Sequence, residues 1–109
     1  MTKQSKSADT LEQGITNMIE TMAEDFASWD GDPVKYRDDI EVTTGRKYAK
    51  VIHQRSVTAF VVLTDTDKKF DRGDILMPAG YATPARNSAR GNVLRGGYPI
   101  NWTGPLYLN

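Results

Sequence analysis

The hydrophobic period of this chain changes once, and that change limits the folds open to it. Leu11, Ile15, Met18, Ile19, Met22, Phe26 and Trp29 recur at steps of three and four. That spacing gathers side chains on one stripe of a helix. From Arg46 the step becomes two. Tyr48, Lys50 and Ile52 alternate with Ala49, Val51 and His53, and after a polar joint at Gln54-Arg55 the residues Val57, Ala59, Val61 and Leu63 alternate with Thr58, Phe60 and Val62. Alternation in β-branched and aromatic residues marks strands, and a joint this short implies an antiparallel hairpin. The fold class that follows is α+β: a small antiparallel β-sheet of three to five short strands, packed by an N-terminal amphipathic helix. Because Ser56–Thr64 is apolar on both faces, it is expected to be a central strand covered on each side.

Boundaries follow from capping and turn chemistry. Residues 1–8 are polar and read as a disordered tail. Residues 9–109 read as one domain, an acidic helix over 9–31 followed by a basic, β-rich part over 45–109. Asp9 is the expected N-cap, with Glu12 completing a capping box and Asp30-Gly31 the stop. Asp32-Pro33 opens a short second helix carrying Val34 and Tyr36. Thr43-Thr44-Gly45 reads as a connector, Asp74–Met77 as a third strand, and Thr83-Pro84 as the start of a short helix over residues 85–90. Val93-Leu94 reads as a short strand, and the apolar tail with Trp102, Leu106, Tyr107 and Leu108 is expected to dock.

The zero net charge hides a division. Residues 1–45 carry four basic and ten acidic side chains, and residues 46–109 carry ten basic and four acidic, so the halves stand at −6 and +6. After Asp74 there is no acid, only Arg86, Arg90 and Arg95 among Tyr81, Tyr98, Trp102 and Tyr107. Such asymmetry points to a nucleic-acid or protein partner. Arginine forks match phosphate geometry and aromatic rings offer stacking platforms. The expected nucleic-acid-binding set is therefore Arg86, Arg90, Arg95, Lys47, Lys50 and Trp102, with Arg86 and Arg90 sharing a face of the short helix. Pairing of the basic face with the acidic helix of the same chain is the competing explanation. The helix stripe itself, rich in methionine, is either core or a partner-binding face. Its outer side, with Glu20, Glu24 and Asp25, is acidic.

Motifs for catalysis are missing. The lone histidine, His53, has no nucleophile or carboxylate signature beside it, and reads as a sheet residue. Asp65, Asp67 and Asp71 resemble a cation loop, but Lys69 and Phe70 stand where an acceptor and glycine are needed. No phosphate-loop glycine pattern occurs. The absence of cysteine removes disulfides and thiolate metal sites and fits a reducing compartment. Arg72-Gly73-Asp74 is explained by a turn, and Asn101-Trp102-Thr103 is a sequon that matters only in a secreted chain. With no secretory signal and no apolar run of membrane length, the expectation is an intracellular, non-enzymatic protein without cofactor.

One resemblance adds to these readings. The runs Gly45-Arg46-Lys47-Tyr48-Ala49-Lys50-Val51-Ile52, Val57-Thr58-Ala59-Phe60-Val61, Gly73-Asp74-Ile75-Leu76-Met77-Pro78-Ala79, and Pro84-Ala85-Arg86 with Ala89-Arg90-Gly91-Asn92 are similar to a pattern in small proteins encoded by tailed bacteriophages. The resemblance spans residues 45–95 and leaves the acidic helix outside. It implies a phage origin, a host-cytoplasm location and a compact β-rich domain, rather than any one activity. The functional expectation is a small phage accessory protein that contacts DNA or RNA through its basic, aromatic C-terminal surface. The alternative is a module that binds a host protein or assembles with its own copies.

Overall fold

A computed structural model describes residues 3–4 and 6–105. The fold is α+β: helix α1 (Leu11–Ser28) packs on a four-stranded antiparallel sheet. Thr10, not Asp9, is the N-cap, its hydroxyl accepting from the Gln13 amide at 3.1 Å. Asp30 takes the left-handed conformation at the helix exit, with φ of 69°. Helix α2 (Pro33–Asp38) follows, with the Asp32 carboxylate capping Val34 and Lys35.

The sheet runs β2 (Ile40–Thr44), β3 (Tyr48–His53), β4 (Ser56–Val62) and β5 (Ile75–Leu76), in that order. The expected connector at Thr43-Thr44-Gly45 is thus mostly strand. Its side chains are exposed beyond Ile40, so it lacks the apolar alternation that marks a packed strand. The β3–β4 hairpin turns at Gln54 and Arg55, whose φ values of 49° and 71° suit a two-residue turn of type I′. β4 is central and buried on both faces, as its composition implies.

The register of that hairpin slips by one residue. Val51 pairs with Ala59 but Ile52 with Val57, leaving Thr58 as a bulge. The Thr58 hydroxyl donates to the Val51 carbonyl at 3.1 Å. Beyond the bulge, Ala59 and Val61 join Ala49, Val51 and Ile75 on the face that α1 covers with Ile15, Met18 and Met22. Phe60 and Val62 turn to the opposite face with Leu76, where Phe70 and Ala89 cover them.

The methionine stripe is core. Met18 and Met22 are fully buried, each contributing about 1.5–3 kcal/mol by removal from water. Trp29 departs from the stripe: it caps α1 and is 63% exposed. Asp25 departs from the acidic outer side and is fully buried.

A second, small sheet joins β1 (Lys3–Gln4), β6 (Pro99–Asn101) and β7 (Gly104–Pro105). Lys3–Gln4 therefore forms a strand where the polar N-terminus reads as a tail. Its pairing with Pro99 and Ile100 comes from residues nearly a whole chain away, which no local pattern reveals. The expected helix over 85–90 does not form. Pro84 bridges to Pro78 instead, and the amides of Ala85 and Arg90 donate to the Met77 and Ile75 carbonyls. Val93 and Leu94 lie in a turn rather than a strand. The expected docking of Leu106, Tyr107 and Leu108 lies outside the described residues.

Candidate nucleic-acid interface

The six cationic and aromatic residues singled out in the sequence do not share one surface. Trp102 lies against α1. Its amide donates to the buried Asp25 carboxylate at 3.0 Å, its carbonyl accepts from the Tyr36 hydroxyl, and its ring stands 5.3 Å from that of Phe26. Burial, with the Asp25 carboxylate nearby, pushes the Tyr36 phenol well above its ordinary range. Trp102 therefore fastens the C-terminal segment to the helix layer.

The arginines meet acids from the loop between β4 and β5. Arg86 Nη2 donates to both Asp67 carboxylate oxygens at 2.9 Å, and Nη1 donates to the Tyr48 hydroxyl. Lys47 reaches the same carboxylate at 3.3 Å, and the Lys69 and Phe70 amides donate to it at 2.8 and 3.0 Å. With its side chain only 1% exposed, Asp67 is the centre of a clamp that spans β3, the loop and the segment after β5. Those amides, then Arg86 and Lys47, hold its carboxyl far below the ordinary range. Asp67 in turn raises the Arg86 guanidinium. Arg95 pairs with Asp71 at 2.7 Å on the surface, which raises its guanidinium too. Arg90 is half-buried, and its amide helps close the β5 edge. Without a helix there, Arg86 and Arg90 share no helical face.

A different grouping emerges on the sheet face away from α1. Thr43, Thr44, Gly45, Arg46, Lys47, Tyr48, Lys50, Phe60 and Ala82 line a shallow groove of about 290 Å³. It holds three cations, two aromatic rings and no carboxylate among its lining residues. The Lys50 ammonium sits 4.2 Å from the centre of the Tyr81 ring and 6.0 Å from that of Phe60, a cation–π arrangement. Tyr81 is 60% exposed, so one side of its ring meets solvent. Among the described residues, Arg46 and Lys50 have no carboxylate within 4 Å. The groove owes its shape to the Thr58 bulge, which sets Phe60 directly across from Lys50.

Lys47 and Lys50 thus stay together in this groove. Arg86 stands at its border as a structural clamp, while Arg90, Arg95 and Trp102 lie apart from it. Arg46, Tyr48 and Phe60 carry no binding signal of their own in the sequence, and Tyr81 enters there only among the aromatic rings of the acid-free stretch after Asp74. Period-two alternation from Arg46 pairs Tyr48 with Lys50 on one face. Phe60 joins them only through the bulge, and Tyr81 through a loop with no periodic signal.

The remaining chemical candidates resolve into structure. His53 ends β3 with its ring stacked 4.3 Å from Tyr36, and partial burial lowers its pKa against an opposing pull from Asp39. Gly73 turns with φ of 93° and Asp74 is buried, accepting from Asn92 at 2.9 Å. Among the described residues no group of three histidine, aspartate or glutamate side chains is placed to hold a metal. None of their helices is long and apolar enough to cross a membrane. No family model, curated protein or solved structure matches the chain.

Proposed function

We propose that the chain is a small, non-enzymatic protein that binds single-stranded nucleic acid in the groove of Arg46, Lys47 and Lys50, with Tyr81 as the stacking platform. One observation carries this reading: Arg46 and Lys50, with the Asp67-paired Lys47, line a groove without acid, and the exposed Tyr81 ring stands against Lys50. Phosphates favour such a groove, and a splayed base stacks on an exposed ring at about 1–3 kcal/mol. The groove suits an extended strand better than a duplex, because its cations sit on a sheet face rather than on a projecting helix or ribbon. The resemblance of residues 45–95 to phage-encoded proteins supports an accessory role in a phage-infected host cytoplasm.

The test is fluorescence anisotropy of labelled DNA and RNA oligonucleotides, single- and double-stranded, at low salt. The double variant Arg46→Ala, Lys50→Ala is expected to weaken single-strand binding about tenfold or more, at roughly 1 kcal/mol per lost contact. Its thermal midpoint should hold, since neither residue is ion-paired to a described carboxylate. Absence of binding to any nucleic acid at low salt overturns the proposal.

A further inference from the structure

The four-stranded sheet has one closed edge and one open edge. At the β5 side, the Ile75 amide donates to Gly91 and the Arg90 amide to Ile75, while Ala85 donates to Met77. The segment after β5 thereby covers that edge. At the other side β2 has no neighbour among the described residues. Its four residues after Ile40 are exposed. The strand contains no lysine or proline, which commonly blunt natural edges, and Glu41 is its one charged residue.

The hydrogen-bond phase identifies which groups face outward. The Gly45 amide donates to the Tyr48 carbonyl at 2.9 Å, so Gly45, Thr43 and Glu41 point their backbone groups toward β3. Lys47 accepts from Leu63, which places Lys50 toward β2 and agrees with that phase. Ile40, Val42 and Thr44 therefore present their amides and carbonyls to the open edge. Val42 lies at the centre of this set and is 38% exposed.

We infer that β2 pairs antiparallel with β2 of a second copy of this chain, with Val42 on the two-fold axis. In this register Val42 faces its own counterpart, and Ile40 faces the copy's Thr44, so every outward group meets a complementary one. Each such residue exchanges a pair of hydrogen bonds with its partner. The axis is perpendicular to the sheet, which keeps like faces on the same side. Glu41 then falls opposite the copy's Thr43, and Thr43 is itself cross-strand from Lys50. The acid of each copy thus lies beside the carboxylate-free basic groove of the other. That charge complementarity favours a second copy over an unrelated strand. A five-residue strand buries less than the ~1,200 Å² of a standard stable interface, so the dimer is weak and concentration-dependent.

Sedimentation equilibrium of the full chain across tens to hundreds of micromolar tests this, together with backbone amide exchange. The expected result is a monomer–dimer equilibrium in which the Ile40, Val42 and Thr44 amides gain protection as concentration rises. Val42→Lys and Val42→Pro should each weaken the dimer by about tenfold or more. Both keep the monomer fold, because the Val42 amide is not used within the sheet, and unchanged circular dichroism verifies it. Val34→Lys, on the exposed side of α2, should leave dimerisation as it is. A monomer throughout the range overturns the inference, as does a dimer that both Val42 variants leave intact. Nucleic-acid binding is read separately, so either idea can fail alone.

Discussion

Single side chains settle where the two layers meet. Asp25 sits in the last turn of an acidic helix, yet it is fully buried and accepts the Trp102 amide. Asp25→Ala removes that acceptor, and a buried donor left without one costs about 1–3 kcal/mol. Chemical denaturation should register a loss in that range, with Asp25→Asn retaining part of the stability. His53 offers a second test. Its folded pKa lies below the ordinary 6.5 because burial against Tyr36 disfavours the charged ring. The unfolded chain therefore binds the proton more readily, and the His53 contribution is fully present above pH 6.5 and lost as pH falls through the lower folded value. Denaturation midpoints at neutral and mildly acidic pH should diverge for the natural chain. His53→Phe, which keeps the stacked ring, should flatten that difference.

Elements show which parts of the fold a local pattern can carry. The amphipathic helix, the Asp32-capped second helix, the hairpin and the central strand were all legible, because each is written in side-chain period or in cap and turn residues. The open strand β2 was not, since an exposed edge needs no apolar alternation. The helix expected after Pro84 gave way to bridges and carbonyl pairing that close the β5 edge, a tertiary demand that overrides a capping signal. Gly14 illustrates the same conflict. Helix propensity favours alanine there by about 1 kcal/mol, but a Cβ would meet the Val93 carbonyl at 2.6 Å and Val93 Cβ at 2.9 Å. Gly14→Ala should therefore destabilise the protein, by about 1–3 kcal/mol as overpacking does, and a lower thermal midpoint would record it. Legibility of the groove failed for a related reason. The Thr58 bulge shifts β4 by one residue and moves Phe60 to the face of Lys50, and nothing in the alternation announces it.

At the scale of the molecule, the charge division becomes a division of faces. Glu12 and Glu24 lie exposed on the helix layer, while Glu20 pairs with Arg37 of α2 at 2.8 Å. Three cations of the second half find acids in their own loops, Asp67 for Arg86 and Lys47, and Asp71 for Arg95. Self-cancellation between the two halves is thus not how the charges are arranged among the described residues. Arg46 and Lys50 are two cations without an ion pair to a described carboxylate, and they sit together in the groove beneath Tyr81. Because α1 supplies the core with Met18 and Met22, it cannot be removed to expose or free that groove, and the groove must be tested in the intact chain. Titration of the labelled protein with a single-stranded oligonucleotide, followed by amide chemical shifts, does so most directly. Binding in the groove predicts perturbations concentrated on Arg46, Lys47, Tyr48, Lys50, Tyr81 and Ala82, fading as salt is raised. Shifts centred on Arg90, Arg95 and Trp102, or none at low salt, would contradict it.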